Sequence, residues 1–574
     1  MNFIDVKLIV KNKYAAGLDL VSFLKGFIFT AIINRLMSTD HIAYPDTNYF
    51  TPLILDYLSE KESLGHLYHR FPKIENFRAQ IDEKSKSYNN SIRKDLVEVL
   101  KEQYSGLKVS EMTSGNIDLL SSEKTFTVVT GHQLNLFTGP LYFLYKIVST
   151  ISLTRKLKEK HPENNFVPLY WMATEDHDFE EINFFHLHGK KFKWNNAEKR
   201  AGATAVGKLS TEGLEEVFKL FSAEIGGGTN AEELKEMFQK AYLEHNNLTD
   251  ATRYLANRLF GKEGLVIIAA GDSRLKKHFS SHIKNELLEE SSSKASQTAI
   301  DSLAELDYKV QVNPRDINLF YLNEEIRERI VKKDGRYYVH ETEISWSKEE
   351  ILAEVDAHPE RFSPNVMMRP LYQEVLLPNL CYIGGGGELA YWLQLKNYFE
   401  AEDVVFPMLL LRNSALLQTA KQNAKRRKLD ISLKELFLKQ HELINRKVRK
   451  ISNINIDFSE QKEHLIQQFQ QMYELAEKTD KSFIGAVKAQ EVKQLKGLDN
   501  LENRLLQAQR RKLKDEVERI AALQNHLFPN RSLQERQTNF SEYYDEYGQE
   551  LIERLLAELD PLDANFKIIT FGKE

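Results

Sequence analysis

Four consecutive polar residues with acid–base chemistry follow an apolar run near the end of the first third of the chain. Glu175, Asp176, His177 and Asp178 are separated by one threonine from residues 166–173 (FVPLYWMA), which have the composition of a buried strand. Carboxylates and an imidazole placed this close together acquire different proton affinities, which is how general acids and bases are made. We therefore predict that this segment carries the catalytic groups.

Two other interpretations of this segment stay open. Carboxylates are favourable at the N-terminus of a helix, where they would only cap free N–H groups. Asp176, His177 and Asp178 also have the chemistry of metal ligands, which would suit a metal-dependent hydrolase. Neighbouring residues on an extended chain point to opposite faces, however, so these three side chains do not easily reach one ion. We expect no metal site here.

A second polar segment, residues 130–140 (TGHQLNLFTGP), lies between another apolar run and a helical pattern. Glycines let the backbone approach a ligand closely, and free N–H groups at the start of a helix favour a phosphate or a carboxylate. The segment matches neither a P-loop nor a GxGxxG fingerprint, so an ordinary polar loop is the alternative. The residues predicted to bind a nucleotide or substrate here are Gly131, His132, Gln133, Asn135, Thr138 and Gly139.

The third candidate region joins residues 363–370 (SPNVMMRP) to residues 383–388 (IGGGGE). Four successive glycines cost backbone entropy to order, so they form either a flexible linker or a loop that lies against a ligand. Arg369 has the forked guanidinium that suits carboxylates and phosphates. An acidic residue that follows the apolar run 265–270 is a weaker candidate, for a ribose hydroxyl. The binding residues predicted in these segments are Asn365, Arg369, Gly384, Gly385, Gly387, Glu388 and Asp272.

The elements that must position these segments indicate an α/β fold. Residues 126–129, 141–160 and 166–173 predict a strand, an amphipathic helix and a second strand, which together make a βαβ unit. Buried strands are also predicted at 265–270 and 406–411. This alternation predicts an open, doubly wound parallel sheet that binds ligands at the carboxyl ends of its strands. Strands of small appended sheets are predicted at 184–194, 308–312, 318–322 and 337–340.

From about residue 418 the chain becomes rich in Lys, Glu, Gln and Leu, and its apolar residues follow coiled-coil spacing. Three long helices are predicted, with Gly485 and Gly497 as possible breaks and Pro529 as the stop, followed by a last strand at 566–571. We expect a homodimer through this coil, because one folded-back pair cannot cover three seams; an intramolecular hairpin and a solvated stalk are the alternatives. The seams comprise Phe437, Ile444, Val448 and Ile451; Leu465, Phe469, Met472, Ala476 and Phe483; and Leu506, Leu513, Val517, Ile520 and Leu527.

Composition limits the compartment and the partners. The chain has 574 residues, a formal net charge of −5 and a single cysteine, Cys381. Such a charge gives no reason to expect nucleic acid or an anionic membrane as a partner, and a lone cysteine suits a reducing cytoplasm. The apolar segment 18–36 contains charges and is too interrupted to be a membrane span. We expect Met37 to be the natural start and residues 1–36 to be a non-native extension, with an amphipathic N-terminal helix as the alternative.

Four long motifs, in this order and spacing, resemble the cysteine-adding enzyme family of bacillithiol biosynthesis. They are TGHQLNLFTGPLYFLYK, WMATEDHDFEEIN, FSPNVMMRPLYQEVLLPNL and YIGGGGELAYWLQLK. The resemblance extends from about residue 37 to the last strand. It implies a Rossmann-like core with connecting-peptide insertions and a C-terminal α-helical coiled coil. The implied division is 37–417 for the core, with insertions at about 184–260 and 300–360, then 418–530 for an antiparallel coiled coil and 531–574 for a helix and strand that return to the core.

The same resemblance implies a cytoplasmic ligase that joins cysteine to glucosaminyl-malate through an amide bond. ATP is the expected activator of the carboxylate, with Mg²⁺ only as a companion of that nucleotide, and small molecules are the expected partners. The alternatives are a metal-dependent hydrolase and a nucleotide-binding coiled-coil dimer without ligase activity. Two positions depart from the pattern common in the family, which has Gln at His132 and Pro at Gly386.

Individual roles follow from the resemblance in the same way. A nucleotide is expected at residues 131–133 and 138–139, with its phosphates near the start of the following helix. Asp176 or His177 is the expected base for the attacking amine. Arg369 and Asn365 are expected to hold the malate carboxylates, and Glu388 is expected to position the sugar.

Overall fold

The computed structural model describes residues 39–195 and 205–572, so the expectations for residues 1–36 lie outside the described residues. The strands are β1 (Thr39–Ala43), β2 (Thr125–His132), β3 (Asn165–Met172), β4 (Phe184–Leu187), β5 (Lys190–Lys193), β6 (Val266–Ile268), β7 (Leu319–Leu322), β8 (Arg327–Lys333), β9 (Arg336–Val339), β10 (Ser345–Trp346), β11 (Phe362–Pro364), β12 (Asn379–Gly384), β13 (Met408–Leu411), β14 (Ala415–Thr419) and β15 (Asn565–Phe571).

The α-helices of the same residues are α1 (Tyr44–Thr47), α2 (Pro52–Leu58), α3 (Phe77–Ser87), α4 (Ile92–Gln103), α5 (Glu111–Leu119), α6 (Tyr142–Lys160), α7 (Phe179–Ile182), α8 (Leu214–Ile225), α9 (Thr229–Tyr242), α10 (Leu248–Phe260), α11 (Ser273–Lys277), α12 (Ser280–Glu289), α13 (Ser291–Glu305), α14 (Lys348–Ala357), α15 (Arg369–Leu376), α16 (Gly386–Trp392), α17 (Lys396–Ala401), α18 (Ala420–Lys428), α19 (Leu433–Leu436), α20 (Gln440–Ile451), α21 (Ser459–Ala476), α22 (Lys481–Lys512), α23 (Lys514–Leu527), α24 (Ser541–Tyr547) and α25 (Glu550–Glu558).

A parallel five-stranded sheet, in the order β13-β12-β2-β3-β6, forms the centre of the fold. The chain runs outward in one direction from β2 through β3 to β6, and then returns to add β12 and β13 on the other side. The strand order therefore reverses between β2 and β12. Ligands of open α/β sheets bind outside the carboxyl ends of the strands at such a reversal. The predicted α/β, Rossmann-like fold is confirmed.

The predicted βαβ unit consists of β2, α6 and β3. Strands β2 and β3 are buried along almost their whole length, as expected for parallel strands that are covered on both faces. Helix α6 buries an unusually wide surface, which includes the polar side chain of Lys146. The apolar runs that mark these elements in the sequence are therefore the parts of the core that lie under the site.

Strand β12 is a central strand for which no strand was predicted. Its apolar residues 380–383 run directly into the four glycines, so the local pattern indicated a turn there instead. The first glycine, Gly384, completes the strand, and helix α16 begins at Gly386. A Cβ atom at Gly384 would lie 2.9 Å from the Tyr382 ring and 3.1 Å from Cβ of Glu388, so this position requires glycine.

An appended antiparallel sheet, in the order β10-β9-β8-β7-β11, follows α13. It contains the strands predicted at 318–322 and 337–340, and the predicted hairpin at 184–194 is present as β4 and β5. The strand predicted at 308–312 was wrong. The side chain of Gln394 accepts hydrogen bonds from the N–H groups of Gln311 and Val312 and donates to the Val312 carbonyl, so a side chain takes the place of a partner strand.

A third sheet joins three segments that are far apart in the sequence, in the order β1-β15-β14. Strand β15 contains the strand predicted at 566–571, and it pairs antiparallel with β1 and parallel with β14. The end of the chain therefore packs beside the first described residues. The segment that precedes α24 also contacts the loop before α6, because Asn539 Nδ2 donates to the carbonyls of Phe137 and Gly139 at 2.7 and 2.6 Å.

Helices α21 and α22 form an antiparallel hairpin, and α20 packs against α22 and α23. Helix α22 is continuous through Gly485 and Gly497, so the predicted breaks were wrong. The stop was correct, because α23 ends just before Pro529. Most seam residues are buried, whereas Ile451, Met472 and Phe483 are exposed. Within the described residues, no helix has the length and apolar character needed to cross a membrane.

Candidate active site

A cavity of about 650 Å³ lies at the carboxyl ends of the central strands, where the strand order reverses. Its floor is formed by the ends of β2, β3 and β12, and the appended sheet covers it through Phe320 and Arg327. Charged and aromatic side chains converge in it, as expected for a small-molecule site. The predicted site residues that line this cavity are Gly131, His132, Gln133, Glu175, Asp176, His177, Asn365, Arg369 and Glu388.

An ion pair between a buried lysine and a partly exposed glutamate lies where β2 and β12 end. Lys146, on the second turn of α6, donates to the Gly131 carbonyl at 2.6 Å and pairs with Oε1 of Glu388. The other oxygen of that carboxylate accepts a hydrogen bond of 2.7 Å from the Tyr382 hydroxyl. Burial lowers the pKa of Lys146, and the charge of Glu388 opposes that effect. Lys146 and Glu388 therefore neutralise each other at the reversal point.

Arg369 lies beside this pair at the start of α15. Its guanidinium donates to Oε1 of Gln373 at 3.1 Å and to the Tyr391 hydroxyl at 3.3 Å. Among the described residues, no carboxylate lies within 4.0 Å of it. A largely buried guanidinium that is held only by neutral groups and lines a cavity is suited to a carboxylate or a phosphate of a ligand.

The second end of the cavity lies beyond β3, at the predicted catalytic segment. Asp176 accepts hydrogen bonds from Nε2 of Gln133 and, at 2.7 Å, from the backbone N–H of His177. Burial acts to raise the pKa of Asp176. The hydrogen bonds from His177 and Gln133, together with the charge of Arg327, outweigh that effect and hold the pKa well below its usual value. Asp176 is therefore a stable anion and a weak proton acceptor.

The ring of His177 contacts Arg327 of the appended sheet. Its Nδ1 lies 2.7 Å from Nη1 of Arg327 and 3.3 Å from Oδ1 of Asp176. A guanidinium has no lone pair to offer, so Nδ1 must accept from Arg327, and the proton of a neutral ring is then on Nε2. In this geometry the Nδ1 lone pair of His177 is not available to accept a proton.

The two outer carboxylates of the segment have different surroundings. Glu175 pairs with Lys276, whose ammonium is fully buried and also donates to the Phe362 carbonyl at 2.8 Å. Asp178 lies outside the cavity lining and caps α7, because Oδ1 accepts from the N–H of Glu181 at 3.2 Å. The capping interpretation therefore describes Asp178, and the site interpretation suits Glu175 and Asp176.

Several predicted binding residues lie away from this cavity. Asn135, Thr138 and Gly139 are buried outside the cavity lining. The Gly139 carbonyl accepts from Asn539, and Nδ2 of Asn135 donates to the Glu181 carbonyl at 3.1 Å. Asp272 caps α11, pairs with Arg274, and lines a neighbouring cavity of about 940 Å³. The glycines Gly384, Gly385 and Gly387 shape the loop that carries Glu388, and they are not part of the cavity lining.

His132 is buried against the rings of Tyr142 and Phe143. Burial, followed by the charges of Lys146 and Arg412, holds its pKa well below the usual value. The imidazole is therefore neutral near pH 7, although it lies beside a cavity with acidic groups. His132 packs behind Tyr142, and one edge of its ring lines the cavity.

Several charged or hydroxyl groups of the site were not predicted from the sequence: Lys146, Lys276, Arg327 and Tyr382, together with Tyr142, Glu181, Arg315, Tyr372 and Tyr391. A lysine within the apolar face of α6 is a signal that could have identified Lys146, because a buried ammonium needs a partner. Arg327 comes from the appended sheet and has no comparable signal. Within residues 39–195 and 205–572, no group of three or more His, Cys, Asp or Glu side chains has the arrangement of a metal site.

Comparison with known proteins identifies the family of this chain. Residues 37–413 match the family model described as bacillithiol biosynthesis BshC, N-terminal Rossmann-like domain, and residues 415–571 match the BshC C-terminal coiled-coil domain. A protein of Christiangramia forsetii is 76% identical over 538 residues, which cover 94% of this chain and 100% of the relative.

More distant relatives give the same result. A Flavobacterium johnsoniae protein is 57% identical over 534 residues, covering 93% of this chain and 100% of the relative. A Cytophaga hutchinsonii protein is 37% identical over 534 residues, covering 93% of this chain and 99% of the relative. All three carry the name "Putative cysteine ligase BshC". The family models and these identities together show that this chain belongs to the BshC family of bacillithiol biosynthesis.

Proposed function

We propose that this protein is a cytoplasmic cysteine ligase that forms an amide bond between the carboxyl group of cysteine and the amine of glucosaminyl-malate. The names of its relatives support the reaction class. The guanidinium of Arg369, which has no carboxylate partner among the described residues, is the observation that carries the substrate assignment. A single buried cysteine supports a reducing compartment.

The charge distribution supports one orientation of the substrate. Arg369 lies at the β2–β12 end of the cavity, which would receive the malate carboxylates, with Asn365 beside it. The opposite end contains Glu175 and Asp176, which suit the ammonium of the sugar. Glu388 is engaged by Lys146 and Tyr382, so in this orientation it supports the cavity floor and does not contact the sugar amine.

Amide formation from a free carboxylate requires activation, and we propose ATP as the activator, with Mg²⁺ bound only through the nucleotide. The start of α6 does not fit the predicted phosphate site. The N–H groups of Leu141 and Phe143 already donate to the carbonyls of Thr538 and Pro140, at 2.8 and 3.0 Å. Thr138 and Gly139 are also outside the cavity lining. No residue is therefore assigned to the phosphates.

The test is a reaction of the purified protein with cysteine and glucosaminyl-malate, with and without ATP and Mg²⁺, analysed by mass spectrometry. We expect the cysteinyl amide product only in the complete mixture. Omission of each component in turn is the control. Absence of product from the complete mixture, with a correctly folded protein, would contradict the proposal, and product without ATP would contradict the choice of activator.

We also propose that the protein is a homodimer through the coiled coil. Helices α21 and α22 expose six large apolar side chains, and apolar surface of this extent is costly to leave in water. These residues are Ile466, Met472, Leu475, Phe483, Val492 and Leu501. Light scattering should give twice the chain mass, and the double variant Leu475→Glu, Phe483→Glu should give the mass of one chain. A wild-type protein of single-chain mass at micromolar concentration would contradict the dimer.

A further inference from the structure

The proposed reaction requires a base, and neither of the two predicted candidates, Asp176 and His177, can act as one. The amine of an amino sugar is largely protonated in neutral water, and an ammonium has no lone pair with which to attack a carbonyl carbon. Asp176 is held as a weakly basic anion by Gln133 and the N–H of His177. The Nδ1 lone pair of His177 is occupied by Arg327. A different group must therefore accept the proton.

Four carboxylates line the cavity, and three of them have strong donors. Glu175 pairs with Lys276, Asp176 accepts from Gln133, and Glu388 pairs with Lys146. The fourth, Glu181, has no hydrogen bond or ion pair through its carboxylate within the described parts of the chain; only its backbone atoms are engaged, by Asp178 and Asn135. Its carboxylate is thus the one of the four whose lone pairs are available to a substrate.

The surroundings of Glu181 favour proton uptake. Burial, followed by the negative charges of Asp178 and Asp176, raises its pKa above the usual value. From α6, Tyr142 lines the same cavity, and its hydroxyl is uncharged near pH 7, as is usual for a phenol whose pKa burial raises further. A carboxylate whose pKa is raised by burial and like charges and that has no strong donor among the described residues is a better proton acceptor than Asp176, five residues earlier in the chain.

We propose that Glu181 is the general base of the ligation, an inference that rests on the proposed function. Glu181 takes a proton from the substrate ammonium and frees the nitrogen lone pair. The nitrogen then forms a bond to the carbonyl carbon of the ATP-activated cysteine. The bond from that carbon to its activating group breaks, the activating group leaves with the electron pair, and the second nitrogen proton passes to solvent.

The test compares Glu181→Gln with Glu180→Gln and wild type in the ligation assay. Glu180 is the matched control, because it is the adjacent residue, lies outside the cavity lining, and pairs with Lys193 at 2.9 Å. We expect kcat of the Glu181 variant to fall by about 100-fold or more, with little change in KM, since general base catalysis contributes about 100- to 10,000-fold. The Glu180 variant should match wild type, and all three should melt at the same temperature.

The pH dependence separates a base from a residue that only supports the fold. Raising the pH increases the fraction of substrate amine that is already deprotonated and needs no base. The deficit of Glu181→Gln should therefore shrink steadily as pH rises. A deficit independent of pH, or a Glu181 variant as active as the Glu180 variant, would overturn the assignment of Glu181 alone. A folded wild type that makes no product would overturn the ligase proposal together with it.

Discussion

The variant Arg369→Ala binds glucosaminyl-malate about 100-fold more weakly than wild type, as the expected result of losing the guanidinium proposed to receive the malate. Each hydrogen bond to a charged group contributes about 1.5–3 kcal/mol, so the loss of two is about 3 kcal/mol or more. A loss of about 1.4 kcal/mol corresponds to a tenfold change in affinity. Arg369→Lys should recover only part of it, because an ammonium cannot donate in a fork.

Calorimetry with glucosaminyl-malate, and with malate alone, measures this effect without turnover. The matched control is Arg361→Ala, because Arg361 pairs with Glu354 and lines the neighbouring cavity. Arg369 also bonds to Gln373 and Tyr391, so melting temperatures must accompany the binding data. Equal malate affinity in Arg369→Ala and wild type would exclude the proposed orientation. That result would not contradict the proposed ligase activity, which the product assay tests separately.

The core of the fold was predictable where a local pattern determines structure. The strands β2 and β3 are built around short apolar runs, and α6 follows an amphipathic spacing, so each is evident without its neighbours. The central strand β12 was not, because its short apolar run ends in glycines that resemble a turn. Its place between β2 and β13 depends on contacts with residues far away in the sequence, which periodicity does not encode.

Contacts between distant segments also determine the third sheet and the unbroken helix α22, which the sequence pattern did not predict. The sheet β1-β15-β14 joins segments from both ends of the described chain and from its middle. In the coil, a glycine costs roughly 1 kcal/mol relative to alanine within a helix, and a helix as long as α22, packed against α21, absorbs that cost. The glycines at 485 and 497 therefore do not interrupt it.

The site was predictable as a set of segments, and its internal assignment was not. Gly131, Asp176 and Glu388 come together because β2, β3 and β12 end at one edge of the sheet, and Arg369 joins them from the start of α15. Their partners depend on side chains that arrive from other elements. Arg327 reaches His177 from the appended sheet, and that contact changes which group can act as a base.

The variant Asp176→Asn should lose ligation by about 100-fold or more while it keeps the fold. Asp176 supplies a fixed negative charge at the end of the cavity proposed for the substrate ammonium, and an amide of the same shape supplies none. One charge-assisted contact of about 1.5–3 kcal/mol corresponds to roughly 10- to 150-fold, and the misplaced amine adds to the loss. The side chain is partly exposed, which makes the substitution compatible with folding.

Asp178→Asn is the matched control for this prediction. Asp178 is two residues away and caps α7 outside the cavity lining, and asparagine caps a helix as well as aspartate does. Because the charge of Asp178 adds to burial in raising the pKa of Glu181, this variant should lose a little ligation activity, far less than Asp176→Asn. Full activity of Asp176→Asn, or equal losses in both variants, would contradict a specific electrostatic role for Asp176.

The low pKa of Asp176 gives the same variant a second, independent measurement. A carboxyl group whose pKa is lowered by folding stabilises the protein above its unfolded pKa, and that contribution is lost as pH falls toward the folded value. The free energy of unfolding of wild type should therefore exceed that of Asp176→Asn at pH 7, and the difference should shrink below about pH 4. Urea unfolding at both pH values measures it. If the difference in the free energy of unfolding does not depend on pH, the hydrogen bonds from Gln133 and His177 do not hold Asp176 ionised. The fixed negative charge assigned to this end of the cavity would then have to come from Glu175.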